Sequence, residues 1–135
     1  MIRRMTTWAL RALIYLTSDA AGRFALMPEI AAAIGASPGS THHVLLRLTA
    51  KGLVIAQRGR GGGYMAVPRV AAMPVAAVLR AVGDDLGWPG IVATQAAAYA
   101  PLSDLLTSLR ADALQRLEET TVGELARAAD TRPLS

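Results

Sequence analysis

The sequence predicts a mainly α-helical fold with one small β-hairpin, and three observations support this. Apolar residues recur at helical spacing through 38–51, and Ser37 and Gly52 bound this segment as helix start and stop signals. The glycine-rich turn 59–63 separates two short apolar runs, which is typical of a hairpin. Leucines at near-heptad spacing follow in 102–119. A helix that leads directly into a hairpin predicts a winged helix-turn-helix domain, here followed by a long C-terminal dimerisation helix.

The composition limits the classes of protein that remain. A chain of 135 residues with 53% hydrophobic residues is sufficient for one domain with a core, yet no window of 18 residues is uninterruptedly apolar, so no membrane span is predicted. We interpret the N-terminus as a helix of a cytoplasmic protein, because Arg11 interrupts the apolar run that a signal peptide needs. The absence of cysteine excludes disulfides, thiolate metal sites and cysteine nucleophiles. Catalytic groups do not occur at usable spacing, so we do not expect an enzyme.

Positive charge is concentrated in the first 80 residues. Residues 1–80 contain ten basic and two acidic residues, a net charge of +8, whereas residues 81–135 contain four basic and eight acidic residues, a net charge of −4. Together these give the +4 of the whole chain. This split indicates that the N-terminal part faces a polyanion such as DNA. An unevenly charged, solvated surface is the alternative.

The elements before the hairpin are two helices and a short strand. We expect the first helix from Thr6 or Thr7 to about Ala20, and its nearly all-round apolar surface predicts a central, buried position. Residues 23–26 form a candidate strand that pairs with the hairpin. A proline start signal and Gly35 as a stop signal predict the second helix at 28–34. Together with the next helix it forms the helix-turn-helix.

Three helices are predicted after the hairpin. Pro74 begins the first of them, and its apolar stripe consists of Val75, Val78, Leu79 and Val82. A loop then precedes the long helix 102–119, one face of which is too exposed for a small domain to cover alone and therefore predicts a partner helix. The residues of this dimerisation face are Leu102, Leu105, Leu106, Leu109, Ala113 and Leu117. Thr121 and Glu124 form a capping box that opens a last helix, 122–129.

The polar face of the helix 38–51 supplies candidate base contacts. In a helix-turn-helix, the first turns of the second helix enter the major groove. The candidates are Ser37, Gly39, Ser40, Thr41, His42, His43 and Arg47. Thr41 also lies on the apolar stripe, so a position in the core is the alternative for it. His42 and His43 diverge by about 100°, and the sequence has no third histidine, so we do not expect a metal site.

The hairpin tip supplies a second set of candidate DNA contacts. Its glycines permit positive φ angles and let backbone amides approach a phosphate, and arginine at a hairpin tip pairs with phosphate or enters a minor groove. The candidates are Arg58, Arg60, Gly61, Gly62 and Gly63. A nucleotide-binding P-loop is excluded, because a strand rather than a helix follows the glycines. A flexible, solvated loop is the alternative.

Other candidate contacts lie outside the helix and the hairpin. Arg3, Arg4 and Arg11 are placed for contacts with DNA phosphates, or else are ordinary solvated residues. Trp88 and Tyr99 either line a pocket for a small-molecule effector or, as we favour, pack against the long helix.

The hairpin closely resembles a motif of one bacterial family of regulators. Residues 52–64 are similar to the "GLV…RGxGGGY" pattern of the Rrf-type winged helix-turn-helix family, which includes the iron–sulfur-cluster-assembly, nitric-oxide-sensing and cysteine-metabolism repressors. Four helical segments also resemble the family, namely 8–13, 28–31, 75–82 and the Thr-Val-Gly-Glu-Leu of 121–125. The resemblance covers the chain except 84–101, and it implies a homodimeric, DNA-binding regulator.

The segment 84–101 is where the chain departs from the family. Many members hold an iron–sulfur cluster on three cysteines there, with an acidic residue or a histidine elsewhere as the fourth ligand. This chain has no cysteine, and Thr7 and Arg11 stand at the positions of those acidic and histidine ligands. Because a cluster needs thiolates, we expect no cofactor and neither cluster sensing nor thiol sensing.

We therefore expect three parts and keep two hypotheses for their function. The parts are a winged helix-turn-helix DNA-binding domain in 1–83, a loop replacing the cluster-binding segment in 84–101, and the dimerisation helix with a short C-terminal helix in 102–135. The first hypothesis is a homodimeric, sequence-specific repressor that binds double-stranded DNA, lacks a cluster and responds to an unknown signal. The second is a winged-helix protein-interaction module that acts through a partner regulator or enzyme, since Gly39 and its neighbours leave the recognition face without long side chains.

Overall fold

The computed structural model of the chain describes residues 2–86 and 97–131. In these ranges the fold is mainly helical with one two-stranded antiparallel sheet, as predicted. The α-helices are α1 (Arg4–Thr17), α2 (Met27–Ile34), α3 (Pro38–Ala50), α4 (Val75–Ala81), α5 (Ala100–Glu119) and α6 (Val122–Thr131). The strands are β1 (Val54–Gln57) and β2 (Gly63–Ala66), and short 3-10 helices span Pro68–Ala72 and Ala97–Tyr99. None of the helices in 2–86 and 97–131 is long and apolar enough to cross a membrane.

The central helix is α1, which packs against α2, α3, α4 and α6. Its buried apolar residues are Ala9, Ala12, Leu13 and Leu16. The helix begins at Arg4, earlier than predicted, because the buried Thr6 hydroxyl donates to the Asp84 carboxylate at 2.6 Å instead of capping the first turn. It also ends earlier than predicted, at Thr17, where the hydroxyls of Thr17 and Ser18 donate to carbonyls of the last turn.

The predicted helix-turn-helix is formed by α2 and α3. The first turn of α2 is capped by the Glu29 carboxylate, which accepts from the Leu26 N–H at 2.9 Å. Gly35 ends α2 in a left-handed conformation with φ 71°, as its position predicted. The Ser37 hydroxyl caps α3 by accepting from the Ser40 N–H at 3.1 Å. The predicted apolar stripe of α3 is buried and consists of Thr41, Val44, Leu45 and Leu48.

The predicted hairpin is formed by β1 and β2. Its paired residues are Val54 with Ala66, Ile55 with Met65, Ala56 with Tyr64 and Gln57 with Gly63. Ala25 adds a bridge to Tyr64 with two backbone hydrogen bonds of 2.8 Å, so the candidate strand 23–26 contributes one residue to the sheet. This bridge ties the hairpin, hereafter the wing, to the segment that leads into α2.

The C-terminal helices close the structure against α1 and α4. The predicted stripe of α4 is buried and consists of Val75, Val78, Leu79 and Val82. α5 begins at Ala100, two residues before the predicted start, and none of its residues is fully buried. Its contact with α4 is made by Ala113, Leu114 and Leu117. α6 begins at the predicted capping box, where the Glu124 N–H donates to the Thr121 hydroxyl at 3.1 Å.

The predicted loop 84–101 is described only in part. Trp88 lies outside the described residues, and Tyr99 has an exposed side chain in the short 3-10 helix before α5. The division of the chain into parts at 1–83, 84–101 and 102–135 stays a prediction.

Candidate nucleic-acid interface

The outward face of α3 is the face opposite its buried stripe. Successive helical residues turn by about 100°, so this face carries Gly39, His42, His43, Leu46 and Ala50, which are all exposed. The structure therefore places His42 and His43, two of the predicted base contacts, on the surface beside Gly39. Ser40 is half-buried, and its hydroxyl accepts from the Ser37 hydroxyl at 3.0 Å.

Two predicted base contacts of α3, Thr41 and the exposed Arg47, make hydrogen bonds within the chain. Thr41 is fully buried and its hydroxyl donates to the Ser37 carbonyl at 2.8 Å, so the structure favours the core position that was its alternative. Arg47 donates from Nη2 to the Val82 carbonyl at 3.3 Å, and its Nη1 lies 3.9 Å from the Met5 sulfur. Arg47 therefore connects α3 to the C-terminal end of α4 and to α1.

The tip of the wing exposes two arginines. Arg58 and Arg60 are both exposed, and neither makes a hydrogen bond or an ion pair with the residues that the structure describes. The turn Gly59–Gly62, which contains Arg60, is closed by the Gly62 N–H, which donates to the Gly59 carbonyl at 3.0 Å. The guanidinium groups are thus held near a tight turn with their donors directed to solvent.

A groove of about 280 Å³ lies between α3 and the wing. His42, Leu46 and Thr49 line it from α3, and the wing lines it with Ala56, Gln57, Arg58, Gly63 and Tyr64. The helix and the wing therefore form one continuous concave surface. The sequence contains no acidic residue from Ser37 to Arg80, so no carboxylate from this stretch opposes an anionic ligand on that surface.

The predicted phosphate contacts of the N-terminus are partly engaged within the chain. The Arg3 guanidinium donates to the Gly83 carbonyl. Arg11 donates from Nη1 to the Ile34 carbonyl at 3.0 Å, at the end of α2. Arg4 lies over the Trp8 ring, with its guanidinium carbon 6.0 Å from the ring centroid. All three arginines are exposed, so their remaining N–H groups stay accessible to an anion.

Asp84 holds the start of α1 against the end of α4, a role that the sequence did not predict. Burial by itself raises the pKa of this carboxyl, but its hydrogen bonds outweigh burial and hold the pKa below its usual range. The donors are the Thr6 hydroxyl at 2.6 Å, the Arg3 N–H at 3.0 Å and the Leu86 N–H at 2.8 Å. The Arg3 charge acts in the same direction. Asp84 therefore stays ionised and anchors the N-terminal arginine region.

Glu29 connects the helix-turn-helix to α1 through a second unpredicted network. Arg23 donates to both carboxylate oxygens of Glu29 at 3.0 and 2.9 Å, and the Tyr15 hydroxyl donates at 2.6 Å. The hydrogen bonds from Arg23 and Tyr15, with that of the Leu26 N–H, lower the pKa of Glu29 to about 2. The same interactions raise the pKa of Arg23. A signal was present in the sequence, because Glu29 is the only acid in the helix-turn-helix.

The comparisons with known proteins agree with this architecture. A family model described as "Rrf2: Iron-dependent Transcriptional regulator" matches residues 2–128. Two Mycobacterium tuberculosis proteins, from strains H37Rv and CDC 1551, are each named as a candidate HTH-type transcriptional regulator. Each is 31% identical to this chain over 123 residues, a match that covers 88% of this chain and 76% of the relative.

Solved structures with the same fold include three regulators. The CymR global cysteine regulator of B. subtilis superimposes with a TM-score of 0.76 at 21% identity, covering 95% of this chain and 97% of that one. Staphylococcus aureus CymR gives 0.75 at 19%, with 98% and 100% covered, and T. potens IscR gives 0.72 at 16%, with 100% and 93% covered. At these identities the likeness establishes the winged-helix fold.

The family description names iron, but this chain has no thiolate that could bind it. The sequence contains no cysteine, and the residues in 2–86 and 97–131 include no group of three or more histidine or acidic side chains able to hold a metal ion. The Arg11 guanidinium donates to the Ile34 carbonyl. These residues do not fit a thiolate-held iron–sulfur cluster.

Proposed function

Because the chain belongs to the Rrf2 family of transcriptional regulators, we propose that it is a homodimeric, sequence-specific repressor that binds double-stranded DNA through α3 and the wing. One observation carries this proposal. The outward face of α3 and the wing form one concave surface with exposed donors, and no acidic residue occurs between Ser37 and Arg80. Since its ligand is DNA, we propose the cytoplasm as its compartment.

In this proposal the two parts of the surface have different tasks. α3 enters the major groove, where His42 and His43 meet base edges or phosphates. Arg58 and Arg60 contact phosphates or a minor groove beside it, because they have no partner among the described residues. Gly59, between the two arginines, has φ 90°, and Gly61, directly after Arg60, has φ 77°, conformations that glycine adopts readily.

The proposed homodimer uses the exposed side of α5. Leu102, Leu105 and Leu109 are exposed by 54%, 56% and 47%, although leucine is among the residues most often buried. Ala113 and Leu117, which were predicted for the same interface, contact α4 of their own chain. The proposed interface therefore centres on the N-terminal half of α5, with half-buried Leu106 at its margin and Ala113 and Leu117 on the adjacent side of the helix.

A cavity between α4 and α5 is the proposed binding site for a signal molecule. This cavity has a volume of about 390 Å³ and lies beside the start of the segment 84–101. Leu79 and Leu114 give it apolar walls, and its charged lining is mixed, with Arg80 and Arg110 beside Asp84 and Asp85. An effector bound there would act on α4, whose end is connected to α3 through Arg47.

DNA binding is tested on the fragment upstream of the protein's own gene, by fluorescence anisotropy over a range of salt concentrations. We expect affinity to fall steeply with salt, since phosphate contacts release counterions. The double variant Arg58→Ala/Arg60→Ala should bind at least about tenfold more weakly and reduce the slope of log affinity against log salt by about two. Both side chains are exposed, so the fold should be unaffected.

Arg127→Ala is the matched control for this test. It removes one exposed arginine from α6, outside the proposed interface, and should leave the salt slope unchanged. A wild-type affinity that is insensitive to salt, or a wing variant that binds like the wild type, would show that the wing does not bind DNA.

A protein-interaction module is the second candidate, and one observation favours it. Arg47 is the one long charged side chain of α3, and it is engaged with the end of α4. A winged-helix module of this kind would co-purify with a partner regulator or enzyme and bind no duplex from a random pool. Measurable binding of any selected duplex at physiological salt would exclude this alternative as the main function.

A further inference from the structure

Leu46 is a large apolar side chain on the outward face of α3. It is 56% exposed, whereas Leu45 and Leu48 of the same helix are completely buried. By helical rotation it lies between His42 and Ala50 at the centre of the outward face. It also lines the groove between α3 and the wing. A single exposed leucine is ordinary on a protein surface, but this one occupies the middle of the surface proposed to enter the major groove.

The neighbours of Leu46 limit how this face reads bases. The commonest specific contacts are Arg or Lys with guanine and Asn or Gln with adenine. Of these four types α3 carries only Arg47, which is exposed at the edge of the outward face formed by Gly39, His42, His43, Leu46 and Ala50. Arg47, the one arginine of α3, donates to the Val82 carbonyl at the side of the helix. The side chains that remain are two imidazoles and one branched apolar group.

We propose that Leu46 is a specificity residue that contacts the C5-methyl group of a thymine in the major groove. This inference rests on the proposed DNA binding. Thymine is the one base that presents an apolar group on the major-groove edge, and an apolar side chain recognises it by contact. Water leaves both surfaces when they meet, which favours thymine over cytosine at that position. His42 and His43 then hydrogen-bond to the neighbouring bases or phosphates.

The test exchanges thymine for deoxyuracil, which pairs identically with adenine and lacks only the methyl group. Duplexes bound by the purified full-length chain are first selected from a random pool. Each thymine of the selected site is then replaced singly by deoxyuracil, and affinity is measured for the wild type and for Leu46→Ala. We expect one thymine per half-site at which the loss of the methyl weakens wild-type binding about three- to tenfold. At that position Leu46→Ala should not distinguish thymine from deoxyuracil.

Leu26→Ala is the matched control, because it removes a leucine that is 60% exposed and lies outside α3. It should keep the full response to deoxyuracil. The role of Leu46 is overturned if no deoxyuracil replacement changes the wild-type affinity, or if Leu46→Ala responds to deoxyuracil as the wild type does. Either result leaves the proposed DNA binding intact. Failure to select any duplex overturns the proposed function, and this inference with it. Circular dichroism of Leu46→Ala should match the wild type, since the side chain contributes little to the core.

Discussion

Glu29 illustrates how one charged residue organises three segments. Its carboxylate accepts from Arg23, from the Tyr15 hydroxyl and from the Leu26 N–H, so it joins α1, the turn after α1 and the start of α2. The side chain of Glu29 is 31% exposed and that of Arg23 is 48% exposed. Solvent therefore screens the ion pair, and much of the stabilisation comes from the hydrogen bonds.

Glu29→Gln should lower the free energy of unfolding by about 1 kcal/mol at pH 7. The pKa of Glu29 is lowered from 4.5 to about 2 in the folded protein, so its stabilising contribution is fully present above pH 4.5 and is lost as the pH falls towards 2. The difference in stability between wild type and variant should consequently shrink over that window. Urea denaturation at pH 7, 4.5 and 3 measures it.

Glu124→Gln is the control for this prediction, because Glu124 is an exposed glutamate in α6. It should change stability by a few tenths of a kcal/mol at every pH. A Glu29→Gln protein whose deficit is equally large at pH 3 and pH 7 would contradict the ionic origin of the effect.

Among the elements, the wing depends most on backbone geometry. A Cβ at Gly63 would overlap the Ala25 carbonyl oxygen, and its φ of 141° is unfavourable for other residues. Gly61 also has a positive φ, 77°, but a Cβ there would meet nothing within 4 Å. The two glycines therefore separate the effect of a close backbone approach from the effect of conformation alone.

Gly63→Ala should destabilise the protein by at least about 2 kcal/mol, because it adds a steric overlap to the strain and breaks the bridge to Ala25. Gly61→Ala should lower the free energy of unfolding by about 1 kcal/mol, because only the left-handed conformation is unfavourable there. Thermal denaturation compares the two variants. Equal losses of stability would mean that the bridge between Ala25 and the wing does not hold the hairpin in place.

At the scale of the whole molecule, the exposed leucines of α5 and its contact with α4 lie on adjacent sides of one helix. Leu102, Leu105 and Leu109 fall within about 60° of one another around the helix axis. The side next to them packs on α4 through Ala113 and Leu117. A second copy of α5 on the leucine side would therefore leave the intramolecular contact intact, and the proposed dimer would carry two copies of α3 and the wing.

The double variant Leu105→Glu/Leu109→Glu should convert the proposed dimer to a monomer, because it places two like charges in each half of an apolar interface. Loss of the dimer should also weaken binding to a two-fold symmetric DNA site by at least about a hundredfold. Sedimentation equilibrium measures the mass, and anisotropy measures the DNA affinity.

Ala111→Glu is the matched control for the dimer variant, since Ala111 is exposed on the opposite side of α5. It should leave both the mass and the DNA affinity unchanged. A double variant that still sediments as a dimer would exclude the leucine side of α5 as the interface.

Local signals in the sequence were sufficient to predict most of the helices, the hairpin and the family. The Ser37 cap, the Gly35 stop, the stripes of α3 and α4 and the glycine turn each depend on residues within a few positions of one another. Their physical causes are therefore readable along the chain, as are the charge split and the absence of cysteine. The winged-helix fold followed from these, and the structure confirmed it.

Only the tertiary structure decided which polar side chains keep their donors free. The Arg47 guanidinium donates to the Val82 carbonyl, and the Thr6 hydroxyl donates to Asp84, which lies 78 residues further along the chain. Arg58 has no hydrogen-bond partner among the described residues. Such partners are set by how helices pack, and a long flexible side chain carries no sequence signal for a distant carbonyl. The sequence thus determined the helix-turn-helix and the hairpin, whereas packing decided that Leu46 and the wing arginines, rather than Thr41, lie on the open surface.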